Sequence, residues 1–310
     1  MKLILVSNVL EHVAFPDFIR AASVAYPGAR LLVTGDLLNI FPEPGEDLRG
    51  SIYYELFGGA MEAEMERLVE SRFRAAASSS FVEPLRQMFL PTGARFQDAC
   101  VIARRRLARM LDRIDASLGS SELYFIHGNM DYPHLSYQLT ANRDRLKVLD
   151  DSVASLNGVR LGGIGGIPNT AHPFRSVVEI SPNEMSESEY ERRLHRLWGV
   201  DVLVSHLSPS ESPTLARFVA ESPVKMLICR APFNFQNQGD FRGASEIQRF
   251  AGKPVITVRP FEPEKNHALV LDVGVDSMAA PKVEIFTWAA SERAPTEPHS
   301  RRAAPVQHAS

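Results

Sequence analysis

The chain has 310 residues, 34 Lys plus Arg against 37 Asp plus Glu, a net charge of −3, and 45% hydrophobic with 23% charged residues. These proportions are those of an ordinary globular protein and exclude collagen-like, disulfide-scaffold and wholly disordered classes; the lack of a net basic field speaks against non-specific nucleic-acid binding. Cys100 and Cys229 stand far apart and form no CxxC motif, which fits a reducing, cytoplasmic setting.

The opening MKLILVSNVLEHVAF is cut short by Glu11 and His12 and carries no small-residue cleavage site, so residues 3–6 read as a first strand. No run approaches the ~18 apolar residues of a membrane span. Phe15, Phe18, Ile19, Ala22 and Tyr26 recur at three- and four-residue spacing, and Pro27-Gly28 stops that helix before a second strand at 30–34. A β-α-β opening of this kind implies a parallel pair with a right-handed crossover. Further short apolar runs at 123–126, 159–163, 202–204, 225–229, 255–258, 268–271 and 283–286 predict a large mixed sheet or two stacked sheets with flanking helices.

Between the second and third strands lies a long connection, about 42–120, with helix signals at 53–77, 81–89 and 96–118. In the last of these, Val101, Ile102, Leu107, Met110, Leu111 and Ile114 form an apolar stripe opposite Arg104, Arg105, Arg109 and Arg113. Such a stripe packs on the body of a domain, or else caps a site or meets a partner. The last residues, 289–310, lack apolar periodicity and are expected to be a disordered tail, leaving 1–288 as a single domain.

Polar clusters follow four of the apolar runs: Ser7-Asn8, Gly35-Asp36, Gly128-Asn129-Met130-Asp131 and Ser205-His206. Strand ends are where open α/β sheets place their sites. Each cluster taken singly is also an ordinary turn, since Asn and Asp bond their own backbone there, and His206 also reads as a histidine tied down by backbone.

With these motifs in this order the chain resembles the calcineurin-like metallophosphoesterases, whose text runs DxH, GD, GN[H/C/M]D, H and GHxH. Gly35-Asp36, Gly128-Asn129-Met130-Asp131 and His206 match three of the five, and GVRLGGIGGIP at 158–168 is similar to the family's usual text. The resemblance implies a four-layer α/β/β/α sandwich with the helical insertion. It also implies two metals that clamp a phosphate for in-line displacement.

The departures are specific. Asn8-Val9-Leu10 stands at the DxH position, and Arg230-Ala231-Pro232-Phe233 stands at GHxH with neither histidine. By resemblance the first metal keeps only Asp36 with Asn8 as a poor neutral donor, while the second keeps Asp36, Asn129 and His206. Met130 replaces the histidine that elsewhere protonates a leaving group. Asn8, Leu10, Gly35, Gly128, Met130, Asp131, His172, Ala231 and Phe233 are expected around the pocket; His12, His127 and His134 lie in other strand-end loops, with His172 and His12 the histidines that could complete a rebuilt site.

Two expectations follow. One is a degenerate, pseudoenzyme-like member that lacks dinuclear hydrolysis and serves as a binding, scaffold or regulatory protein. The other is a single-metal phosphoesterase using Asp36, Asn129 and His206, holding one weakly bound Mn, Fe or Zn. A partner protein fits the first; outside both lies a third possibility, a pocket that cradles a small phosphate-containing ligand, an anion or nucleotide, without turning it over, on backbone N–H groups of the Gly35 and Gly128 turns.

Overall fold

A computed structural model describes residues 1–39, 93–168, 183–232, 247–262, 267–274 and 281–288. The helix signals at 53–77 and 81–89, His172, Phe233 and the tail at 289–310 lie outside the described residues.

Two six-stranded sheets form the centre. The first contains β1 (Lys2–Val6), β2 (Arg30–Val33), β3 (Leu123–Phe125) and β4 (Leu146–Val148), all parallel, with β13 (His267–Asp272) antiparallel to β1 and β14 (Val283–Thr287) antiparallel to β13. In the second, β6 (Val159–Ile164), β9 (Val202–Ser205), β10 (Met226–Arg230) and β12 (Lys253–Val258) are parallel, flanked by antiparallel β5 (Val153–Leu156) and β11 (Ile247–Phe250). A small parallel pair, β7 (Ile167–Pro168) with β8 (Glu184–Met185), stands beside them. Successive strand residues point to opposite faces, and both faces are apolar, as sheets covered on both sides require.

Three hydrophobic clusters show how the layers stack. Leu3, Leu5, Leu32, Tyr124 and Ile126 pack between the sheets against Leu161, Val202, Val204, Met226, Ile228 and Ile256. The alternate residues Ile4, Val6, Leu31 and Val33 face outward onto α1 (Phe15–Ala25) and α2 (Gly93–Ser117). On the opposite outer face, Leu203, Leu227 and Cys229 meet Tyr190 and Leu194 of α4 (Glu187–Arg196) and Leu215 and Phe218 of α5 (Pro213–Glu221). A short α3 (Pro133–Thr140) follows β3. The result is an α/β/β/α sandwich, the fold class expected from the motifs.

The α2 stripe packs on the body: Ala103, Leu107, Met110, Leu111 and Ile114 are buried, while Arg104, Arg105, Arg109 and Arg113 are exposed. Val101 departs from the expected stripe and is 57% exposed. At about 100° per residue it sits roughly 120° round the helix from Leu107, off the buried face. No helix among the described residues is long and apolar enough to cross a membrane.

Candidate functional site

The loops after β1, β2, β3 and β9 meet at the carboxyl ends of the parallel strands. Asn8, Leu10, Glu11 and Asp36 all take left-handed backbone conformations, with φ of 46°, 50°, 57° and 55°. Residues other than glycine rarely do this, and each instance costs on the order of 1–3 kcal/mol. The cost is offset by a ladder in which the amides of Asn8, Leu10 and Glu11 donate to the carbonyls of Gly35, Asp36 and Leu37 at 3.0, 3.0 and 2.9 Å. Two glycines let the loops approach. A Cβ on Gly35, whose φ is +107°, would lie 2.3 Å from His206 Nδ1, and one on Gly128 would lie 1.9 Å from Asp36 Oδ1.

Asp36 and His206 are buried at the floor of this junction, and Asn129 is half-buried. Asp36 Oδ1 accepts the Met130 amide at 3.0 Å, and Oδ2 accepts Asn8 Nδ2 at 3.2 Å. His206 Nδ1 lies 2.9 Å from the Thr34 carbonyl. A carbonyl only accepts, so the hydrogen-bond network assigns the ring proton to Nδ1 and leaves Nε2 a bare lone pair. Burial, reinforced by the nearby Arg230 charge, pushes the imidazole down to about 4, so it is neutral at pH 7. Burial pushes Asp36 up to about 6, against the Met130 amide and Arg230, and leaves it mostly ionised at pH 7.

That lone pair faces Asn129 Oδ1 at 3.2 Å and Asp36 Oδ2 at 3.5 Å. Three acceptors therefore converge with no hydrogen between them, an arrangement a cation satisfies. For donors about 2.1 Å from one ion, neighbouring donors lie roughly 3.0–3.4 Å apart, close to the separations seen. The set is thin. Among the described residues no three His, Cys, Asp or Glu side chains are grouped to hold a metal, so the amide of Asn129 has to serve as the third donor.

Asp131, expected near the pocket, is buried and clasps two loops: it accepts the amides of Gly128, Leu37 and Leu38 at 2.8, 3.3 and 2.9 Å. Burial and the Asp36 charge hold it above the usual carboxylate range despite these donors. This corrects the proposed anion cradle on its Gly128 side, because that N–H is taken by the protein's own carboxylate. The Asn8 side chain, besides reaching Asp36, accepts the Ser7 hydroxyl at 2.7 Å. Leu10 is half-buried, Met130 packs partly on the core, and Ala231 is tied by its amide to Val258 at 2.7 Å.

Three other histidines among the described residues, His12, His127 and His134, lie elsewhere. His12 Nδ1 accepts the Ala14 amide at 3.1 Å, and its ring meets the edge of Phe261, which places it at the start of α1. His134 is exposed, 4.0 Å from the Cys100 sulfur. His127 is fully buried and donates through Nδ1 to Asp150; burial would lower it, but the Asp150 charge and hydrogen bond hold it above its ordinary value.

Several supporting residues carried no motif. Arg230, standing where a GHxH motif would begin, is buried and donates to the His206 carbonyl at 3.2 Å and to Glu211 at 2.9 Å. Arg106 of α2 forms a 2.6 Å ion pair with Glu11, which also accepts the Asn39 amide at 3.0 Å. Asn183 donates to the carbonyls of Gly128 and Asn129.

No protein-family model matches the sequence, and no curated protein matches it. The fold has likenesses among solved structures. One has a TM-score of 0.57 at 14% identity, covering 92% of this chain and 99% of its own. Another, the NAD nucleotidase NadN of Haemophilus influenzae, has a TM-score of 0.44 at 11% identity, and the match covers 92% of this chain but 49% of the nucleotidase. At these identities the likeness is one of fold alone.

Proposed function

We propose that this chain is a divergent metallophosphoesterase-type protein that holds one divalent cation on Asp36, Asn129 and His206, captures a phosphate-bearing ligand there, and does not perform dinuclear hydrolysis. The observation that carries this reading is His206 Nε2, a bare lone pair, lying 3.2 Å from Asn129 Oδ1 and 3.5 Å from Asp36 Oδ2. When bound, the cation supplies positive charge and open coordination positions for a phosphate oxygen.

The chain's own residues divide the remaining work. The Thr34 carbonyl fixes the His206 tautomer, the Met130 amide and Asn8 Nδ2 aim the Asp36 carboxylate, and burial keeps both ligands dry. What argues against turnover is the opposite flank. Asn8 and Leu10 offer no carboxylate or imidazole for a second ion, and the Met130 thioether has no proton to give a leaving group. A single-metal phosphoesterase is the second reading. It is favoured by the half-exposed Asn129, which leaves the donor set open on one side, as a catalytic rather than a structural metal site requires.

Titration of the protein with Mn²⁺ by calorimetry tests the first reading: one equivalent should bind, and Asp36→Asn should abolish it. Absence of stoichiometric binding would sink it. Hydrolysis of a generic phosphodiester with Mn²⁺, lost in Asp36→Asn, would replace it with the second.

A further inference from the structure

We infer that Asn183 is a positioning residue for the Asn129 donor, an inference that rests on the single-cation reading above. The turn after β3 must present Asn129 Oδ1 towards His206 while its backbone bends away from the sheet. Three consecutive carbonyls of that turn point to the β6–β8 side of the molecule, and each finds a donor there. The His127 carbonyl accepts the Gly166 amide at 2.9 Å, the Gly128 carbonyl accepts Asn183 Nδ2 at 3.0 Å, and the Asn129 carbonyl accepts the Asn183 amide at 3.2 Å.

One residue, 55 positions away in sequence from Gly128, thus brackets the peptide unit that carries the Asn129 side chain. The Asn183 amide group is buried, so its hydrogen bonds are not shared with bulk water. The approach is tight. A Cβ on Gly166, whose φ is +73°, would lie 2.7 Å from the Asn183 carbonyl and 2.9 Å from its Nδ2. Asn183 also immediately precedes β8, whose Met185 is bonded by Arg193 of α4. The donor turn of the first sheet is thereby tied to a helix of the second sheet's outer layer.

Nothing else among the hydrogen bonds described for Gly128 and Asn129 does this job from that side. The Asp131 carboxylate holds the Gly128 amide, and His206 meets the Asn129 side chain itself. Residues that orient a ligand without touching the ion typically change affinity by about 10–100-fold when removed. Asn183 acts through the backbone and belongs at the lower end of that range.

The test uses the full chain with Asn183→Ala and, should that variant fold poorly, Asn183→Leu, which keeps the size and lacks the Nδ2 donor without burying a charge. Mn²⁺ affinity by calorimetry should fall roughly tenfold in either variant, and the Co²⁺ absorption spectrum should shift as the donor geometry loosens. Amide hydrogen exchange of Met130 and Asp131 in metal-free protein should quicken, while that of β9 and β10 stays unchanged. Unchanged affinity and spectrum overturn the inference, even if exchange quickens, because Asn183 would then hold structure and not the donor. If the parent chain binds no Mn²⁺ or Co²⁺, the single-cation reading fails instead. The inference about the donor then falls with that reading, and faster Met130 and Asp131 exchange would show Asn183 as a structural tie of the turn only.

Discussion

Asp36 has two flanks built on the same kind of strand-end loop, and they have met different ends. On one side the bare Nε2 of His206 lies 3.2 Å from Asn129 Oδ1 and 3.5 Å from the Asp36 carboxylate. On the other side Asn8 turns its amide nitrogen to Asp36 as a donor, Leu10 offers only carbon, and the loop is secured by the Arg106–Glu11 ion pair at 2.6 Å. The backbone of the second flank nevertheless keeps its left-handed residues and its ladder to Gly35, Asp36 and Leu37. Two loops of like backbone can therefore present different side-chain chemistry, because the main-chain ladder that shapes the second flank does not depend on which side chains Asn8 and Leu10 carry.

The largest expected effect comes from removing the space that both flanks share. Gly128→Ala would put a methyl 1.9 Å from Asp36 Oδ1 and 2.5 Å from the Asp36 amide nitrogen. Overpacking of a buried junction by backbone-proximal atoms should cost about 3 kcal/mol in urea unfolding and abolish Mn²⁺ binding. A variant of parental stability would mean that the β2 and β3 loops are not packed as described.

Next in size is the contrast between flanks. Asp36→Asn or His206→Ala should weaken Mn²⁺ by roughly 100-fold or more, while Asn8→Ala, which removes one hydrogen bond to the carboxylate, should cost about 1 kcal/mol of stability and less than about tenfold in affinity. Equal losses on both sides would erase the distinction.

Restoring the emptied flank sharpens it. Histidine tolerates left-handed φ better than leucine, so Leu10→His at φ 50° should leave stability within about 0.5 kcal/mol of the parent. Combined with Asn8→Asp, it should add a second, weaker equivalent in the Mn²⁺ titration. A stoichiometry still at one would show that the loop has lost more than side chains.

The smallest effect belongs to a control at the far ends of the strands, where Arg30 Nε donates to Glu122 at 2.8 Å. This pairing holds the Glu122 carboxyl below its ordinary range, so its contribution is present above the unfolded pKa and is lost as pH falls through the folded value. Glu122→Gln should cost about 0.2–1 kcal/mol at pH 7, shrink the stability loss seen between pH 6 and 3, and leave Mn²⁺ binding untouched. Altered binding would argue that the sheet transmits changes to the site.

Much of the scaffold was legible in the chain. Runs such as residues 202–204 and 255–258 are continuous and apolar because both sheet faces are covered, and each forms a strand. α3, α4 and α5 were not anticipated, although Ser186 caps α4 by accepting the Glu189 amide and Ser212 caps α5 by accepting the Leu215 amide. Their apolar faces are short, with Tyr190 and Leu194 alone buried in α4, so periodicity is faint and only the capping pattern carries the signal. The short strands β4, β7 and β8 leave too few residues for alternation to register, and β11, of four residues, is an exposed edge.

By itself the sequence determined the doubly covered strands and the order of polar clusters at strand ends, because burial on both faces and turn chemistry are local properties of short segments; it left one large sheet or two stacked sheets open, and the sandwich came from the resemblance. Through the resemblance it also named Asp36, Asn129 and His206, and the two positions, 8–10 and 230–233, that depart from the family's motifs. Only the tertiary structure decided that Nε2 of His206 faces two oxygens without a proton, since that depends on the Thr34 carbonyl 172 residues away fixing the tautomer. It alone showed Asp131 filling the Gly128 turn, Arg230 behind His206 and Asn183 around Asn129, because hydrogen bonds between distant loops leave no periodic trace in a chain.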